Sequence, residues 1–439
     1  MIQPRVIISS DRSNSGKTLI SSGIMMALSK RFKVRGFKVG PDYIDGGYHK
    51  IATGQPSINL DLFMMGEDGV RESLARYSRG YDISVIEGVM GLYDGHGIEY
   101  STYEVARVTG TPIVLVIDCS AMGSTAAAVI YGLKQFGNAD VKGVIFNKIG
   151  SEKHYLYCKD KLRDVKALGY IPKLSQEIPS RHLGLFTVET YDKAKEAINL
   201  VSKYVETNID MDLLMEIASQ ASPIKTDFQH AEPTNPIGRG GSRRIAAVAY
   251  DSAFSFYYQE NLDILGEKFE LKFFSPILNE KVENADLIYL GGGYPELYAE
   301  ELSKSFSTAK WIKQAANDGK KVLAECGGLM YLSRYLEYNG RKYQLANLLD
   351  VGITFQGRLT LGYRIADTIE DSFISRRGDT INGHEFHVSL PEYVNEKRFV
   401  FKYRNGNGIE NGYDGIKVND TLASYLHLHF SRLRRRLSF

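Results

Sequence analysis

Between residue 5 and about residue 200 the chain alternates short β-branched runs with longer stretches whose apolar residues recur at helical spacing. The runs "RVIIS", "VRGFKVG", "DISVIEG", "TPIVLVID" and "VKGVIFNK" predict strands, and Thr18–Ser29 and Thr125–Phe136 predict helices between them. Apolar strands separated by helices make a parallel sheet covered by helices. A second α/β pattern follows, with "RIAAVAY", "LKFFSP", "ADLIYLGGG" and "KKVLAECGG" as its early strands. Between the two patterns, "ASPIKTDFQHAEPTNPIGRGGSRR" is rich in Pro, Gly and polar residues without periodicity, which predicts a linker. The expected division is a first domain over 1–220, a linker over 221–243 and a second domain over 244–439. No internal repeat interrupts it.

The length of 439 residues agrees with two domains of about 200 residues each. The apolar fraction of 43% and charged fraction of 24% are those of a soluble globular protein, and no apolar run is long enough to span a membrane. Met1 leads directly into "RVIIS" without a secretory pattern, and Cys119, Cys158 and Cys326 stand far apart. The expectation is a cytoplasmic protein without disulfides or a CxxC metal site, in which Cys119 and Cys158 are small buried hydrophobes. A net charge of +2, spread along the chain, argues against nucleic acid as partner. Only the closing "SRLRRRLSF" concentrates basic residues, and a solvated, frayed terminus is expected there.

The first candidate chemistry is "SSDRSNSGKTL", Ser9–Leu19, which ends as a phosphate-binding loop although Asp11 occupies the place of its first glycine. Such a loop needs converging backbone N–H groups, a helix N-terminus, a lysine and a hydroxyl for a metal. Ser13, Asn14, Ser15 and Gly16 would supply the backbone, Lys17 the charge and Thr18 the hydroxyl; Asp11 and Asn14 tolerate left-handed conformations. On this window alone, an ordinary helix start capped by Ser13 or Ser15 explains the residues as well. "KVGPDYIDGGYH" and "EGVMGLYDG" each follow a predicted strand, which places Asp42, Asp45, Glu87 and Asp94 near the carboxyl ends of parallel strands, where such sheets bind ligands. Carboxylates beside a phosphate loop suit Mg2+ and phosphoryl transfer. Asn147, closing "GVIFNK", is placed to read a purine base through its amide.

In the second pattern, "VLAECGGLMYL" places Cys326 on a sharp strand-to-helix turn, exposed at the sheet edge, with its thiolate favoured by the helix N-terminus. Candidate bases are His384, His387, His427 and His429. "LGGGYPELY" offers Gly292 and Gly293, and the turn itself Gly327, for an oxyanion and glutamine pocket.

Taken in order, "SGKT", "KVGPDYID", "NLD", "EGVMGLYDG", "VKGVIFNKIGSEKH", "RHLGL" (Arg181–Leu185), "DSAFSFYYQENL", "GGGYPELY", "AECGGLMYL", "GYR", "GHEFHVS" and "ASYLHLHF" closely resemble the cobyrinate a,c-diamide synthases, glutamine amidotransferases of cobalamin synthesis. The resemblance covers nearly the whole chain. It implies an α/β protein of two domains: an N-terminal P-loop domain with a parallel sheet, like dethiobiotin synthetase, and a C-terminal class I (triad) glutamine amidotransferase domain. ATP with Mg2+ would phosphorylate the a and c acetates of cobyrinate, and ammonia from L-glutamine would displace the phosphate. It implies that Lys17 and Thr18 contact phosphate and metal, that Thr18, Asp42 and Glu87 surround Mg2+, and that Asp45 and Asp94 serve the carboxylate being activated. Cys326 would form a glutamyl thioester with His427 as base and His429 as the weaker candidate. The glutamate common two residues after the base is here His429, which leaves the third triad member open. Asn14 in place of a glycine and Gly46-Gly47 in place of the usual proline are further departures. A homodimer is compatible with the resemblance. The alternatives are a synthase acting on Ni-sirohydrochlorin for coenzyme F430 and, in another class, a non-catalytic P-loop scaffold or partitioning ATPase.

Overall fold

The computed structural model describes residues 3–174, 188–225, 243–355, 357, 359–434 and 436–439, so most of the expected linker and all of "RHLGL" lie outside the described residues. The chain divides into two compact units, Met1–His230 and Ala231–Phe439.

The first unit is built on strands β1 (Arg5–Ser10), β2 (Val34–Val39), β3 (Ile58–Leu60), β4 (Ile83–Glu87), β5 (Ile113–Asp118), β6 (Val141–Ile149) and β7 (Lys166–Pro172). They form one sheet in the order β3-β2-β4-β1-β5-β6-β7, with every neighbouring pair parallel. Every residue of β1, β2, β4 and β5 is buried, as strands covered on both faces require. All five strands read from the sequence are present; the three-residue β3 and the bulged β7 were too short or irregular to read. Helix α1 (Lys17–Ser29) starts directly after β1, and α2 (Asp45–Thr53) follows β2. Because β1, β2 and β4 are neighbours and parallel, the segments leaving their carboxyl ends come together. These segments are the phosphate loop, "GPDYID" and "GVMGLYDG".

The second unit contains β8 (Ile245–Ala249), β9 (Glu270–Phe274), β10 (Ala285–Leu290), β11 (Lys321–Glu325), β12 (Tyr335–Tyr338), β13 (Arg341–Gln344), β14 (Val351–Thr354), β15 (Thr360–Thr368), β16 (Thr380–His387), β17 (Leu390–Val394), β18 (Phe399–Tyr403), β19 (Tyr413–Val418), β20 (Thr421–Ser424) and β21 (His427–Leu428). Ten of these make one mixed sheet, β21-β16-β15-β18-β19-β20-β11-β10-β8-β9, and β13-β12-β14-β17 make a second. The four strands read from the sequence, joined by β20, form the parallel part of the ten-stranded sheet.

The basic C-terminus is not frayed. Leu433, Leu437 and Phe439 are buried, Arg244 donates to the Phe439 carbonyl at 2.6 Å, and Arg434 pairs with Glu267 at 2.6 Å. The apolar residues between the arginines carry the segment onto the core, which the count of basic residues concealed. Among the described residues four apolar clusters form, two within each unit.

Candidate active sites

In the phosphate loop the left-handed positions are Asn14 (φ 62°) and Gly16 (φ 87°). Asn14 therefore takes, without a glycine, the conformation expected of one. Gly16, not Ser13 or Ser15, is the N-cap of α1 and makes no side-chain cap hydrogen bond; a helix N-terminus at the end of such a loop is the kind that suits an anion. Ser15 instead braces the loop, donating to Asp11 Oδ1 and to the Arg12 carbonyl, both at 2.9 Å. The residue replacing the first glycine is thus a structural acceptor. Lys17 donates to Ser10 Oγ at 2.9 Å and to the Met90 carbonyl at 2.7 Å.

Asn147 donates to the Ser15 carbonyl at 2.9 Å and accepts from the Lys148 N–H at 2.9 Å, so in this structure it clamps the loop to β6. The clamp is close enough that a Cβ on Gly16 would come within 2.3 Å of the Asn147 amide nitrogen.

Glu87 is fully buried at the end of β4 and gathers the site. Thr18 donates to one oxygen at 2.6 Å, Ser21 donates to the other at 2.9 Å, and His49 Nε2 lies 2.7 Å from that second oxygen. Lys38 Nζ is 3.2 Å from Glu87 and 2.9 Å from Asp45. Burial alone would raise the Glu87 pKa, but Lys38 and His49 outweigh it and hold the carboxylate well below its usual range. Burial likewise opposes the charge on Lys38, yet Asp45 and Glu87 raise its pKa on balance. Asp45 is therefore half of a buried ion pair. Asp42 accepts from the N–H groups of Ile44 and Asp45, both at 2.8 Å, and so fixes the turn into α2. Asp94 is exposed and accepts from the Gly91 N–H at 3.0 Å. The sequence reading passed over Lys38 and His49; a lysine near the carboxyl end of a predicted parallel strand was the available signal for the first, whereas nothing local marked the second.

The Thr18 hydroxyl beside the ionised Glu87 is a pair of hard oxygen donors, which suits Mg2+. Among the described residues no three His, Cys, Asp or Glu side chains form a closed metal cage. A Mg2+ ion that takes most of its ligands from phosphates and water needs none.

In the second unit, Cys326 sits between β11 and the helix Gly327–Leu332 with φ 49° and ψ −96°, a backbone strain of the kind that turns a nucleophile out of a strand. The side chain is buried, not exposed at the edge. Burial pushes its thiol pKa up and the charge of Glu296 adds to this, while the Gly327 N–H opposes them. The helix has only six residues and does not overcome the burial, contrary to the expected thiolate. A neutral thiol needs a proton acceptor. His427 is fully buried, and that burial holds its pKa well below the usual value, leaving a neutral imidazole able to accept.

Gly292 lies against His427, and Gly292 and Gly293 lie against Gly327, the residue after Cys326. A Cβ on Gly292 would meet His427 Cε1 at 2.4 Å, and a Cβ on Gly327 would meet Gly293 N at 3.1 Å and Gly292 C at 3.4 Å. Across β16 and β21 the rings of His384 and His427 stack at 4.9 Å and 14°. His384 Nε2 is 2.7 Å from the Tyr258 hydroxyl. His387 stacks on Tyr425 at 3.9 Å and its Nδ1 bonds the Ser389 carbonyl. His429 bonds Ser431 and stays 3.9 Å from Glu260.

Two family models match: a CobQ/CobB/MinD/ParA nucleotide binding domain over residues 6–185, and a CobB/CobQ-like glutamine amidotransferase domain over residues 245–434. The chain is 53% identical over 438 residues to a cobyrinate a,c-diamide synthase of Saccharolobus solfataricus, covering 99% of this chain and 100% of the relative. The chain belongs to the cobyrinate a,c-diamide synthase family. A relative of the same name from Sulfurisphaera tokodaii is 52% identical, covering 99% of both chains. Another from Methanocaldococcus jannaschii is 40% identical, covering 98% of this chain and 96% of the relative.

As a member of this family the protein is a ligase with glutamine as amido donor, and its P-loop unit uses a nucleotide. No helix among the described residues is long and apolar enough to cross a membrane. Gly292 packs against the ring of His427, with no room for a side chain between them. Gly292→Ala should lower glutamine-dependent amidation by about 10²-fold, because the added Cβ displaces the His427 ring. The rate with ammonium salt should stay near wild type, and measuring both rates on one preparation checks it.

Proposed function

We propose that this protein amidates the a and c acetate carboxylates of cobyrinate, using ATP, Mg2+ and L-glutamine. The observation that carries the reading is full-length identity above 50% to three relatives of that name, joined to a chain that retains a phosphate loop and a cysteine at a strained strand-to-helix turn.

In the second unit, His427 takes the Cys326 proton and sulfur attacks the side-chain amide carbon of glutamine. The C–N bond breaks, the proton leaves with ammonia, and water hydrolyses the thioester to glutamate. Backbone N–H groups around Gly292, Gly293 and Gly327 stabilise the oxyanion. In the first unit, the loop from Ser13 to Thr18 holds the ATP phosphates, and a substrate carboxylate takes the terminal phosphoryl group. Ammonia then attacks the acyl carbon and phosphate leaves. Thr18 and Glu87 would hold Mg2+, which neutralises phosphate charge when bound. Asp42 and Asp45 act here through the turn and the Lys38 pair, and Asp94 through the exposed turn beside the loop.

Side-by-side assays of ATP- and glutamine-dependent amide formation on cobyrinate and on Ni-sirohydrochlorin test the substrate. Amidation of cobyrinate is expected; turnover of the nickel compound alone would overturn the reading, and turnover of neither would favour the scaffold alternative.

A further inference from the structure

The usual acid two residues beyond the base is His429 here, which is turned toward Ser431 and Glu260. The base strand is nevertheless held from another direction. Strand β21 is two residues long and bonds in the sheet only to β16. Its outward backbone groups at Leu428, the residue after His427, are taken by two side chains. The Leu428 N–H donates to Glu325 Oε1 at 3.2 Å, and the Leu428 carbonyl accepts from Asn261 at 2.7 Å. Asn261 also accepts from the Phe430 N–H at 2.7 Å.

Glu325 is the last residue of β11 and directly precedes Cys326. Its other oxygen accepts from the Tyr289 hydroxyl at 2.9 Å, and the residue is 2% exposed. One buried side chain thus ties the strand that carries the nucleophile to the strand that carries the base, across 103 residues of sequence. Strand β20 pairs with β11 at Glu325 and Ser424, and Tyr425 and Leu426 separate it from β21, which lies six positions from β11 in the sheet order. Across that short return, Glu325 adds a direct side-chain tie from the end of β11 to the base strand.

We infer that Glu325 is the positioning residue that replaces the missing triad acid: it sets His427 relative to Cys326 through the Leu428 N–H instead of through the imidazole. The inference rests on the reading of Cys326 as nucleophile and His427 as base. The role depends on reach, not on charge. A glutamine of the same length still accepts from Leu428 and still meets the Tyr289 hydroxyl, which can rotate to accept. An aspartate keeps the carboxyl but falls short by one methylene.

The test compares E325Q and E325D in the full chain, measuring kcat and KM for glutamine hydrolysis, ammonia-supported amidation and Tm. E325D should lower kcat by about 10²-fold with KM for glutamine and the ammonia-supported rate unchanged, as a displaced catalytic group does. E325Q should lose less than E325D. Equal losses, a greater loss in E325Q, or wild-type kcat in both would overturn the inference, since the first two mean a role for charge or proton transfer and the third means no role. His427→Ala isolates the underlying reading: glutamine hydrolysis retained in that variant would remove His427 as base, whatever the Glu325 variants do.

Discussion

Cys326→Ala should abolish glutamine-dependent amidation, by roughly 10⁴-fold or more, because loss of the nucleophile removes the thioester route entirely. The same protein supplied with ammonium salt should retain its ATP-dependent rate. The separation follows from the architecture: Cys326 belongs to the second unit, whereas Lys17, Thr18 and Glu87 belong to the first. The substitution is also mild for the fold. Alanine keeps the Cβ, and the strained backbone at φ 49° is already present in the native protein. Loss of both nitrogen sources in a variant with wild-type Tm would contradict the two-site scheme.

Lys17→Ala should produce the opposite pattern, lowering amidation with glutamine and with ammonia alike by about 10² to 10³-fold, the cost of removing one preorganised charge from a transition state. Lys17 touches Ser10 and Met90, at the ends of the segments that β1 and β4 deliver. It has no role in the cysteine site, so glutamine hydrolysis measured alone should persist. Amidation that survived the substitution would remove the loop from the mechanism. The pair of variants therefore assigns each half-reaction to one unit without reference to the tetrapyrrole.

What the sequence disclosed and what it hid divide along the range of the interactions. Five of the seven strands of the first unit were legible because each is a local apolar run, and the glycine-lysine-threonine turn because its chemistry needs adjacent residues. Cys326 was legible as a turn residue for the same reason. Its burial was not, since that depends on the packing of segments distant in sequence. Asp45 and Asn147 were legible as polar residues at strand ends, but their partners were not. Asp45 faces Lys38, and Asn147 faces a carbonyl 132 residues away. Glu325 shows the limit most clearly: it stood in plain view beside the nucleophile, and only the return of the chain at Leu428 gives it a task. Strands β12, β13 and β17 of the four-stranded sheet were missed because they are short, half-exposed and broken by turns, which weakens periodicity.

Each unit has apolar clusters of its own among the described residues, two within residues 6–224 and two within residues 245–439. Heat need not melt such a chain in one cooperative step. Its calorimetric trace is then a sum of two enthalpies, and the van't Hoff value from a single fitted transition would fall below the calorimetric one. ATP should shift the component belonging to the loop-bearing half, by mass action on its native state, while leaving the cysteine-bearing half where it was.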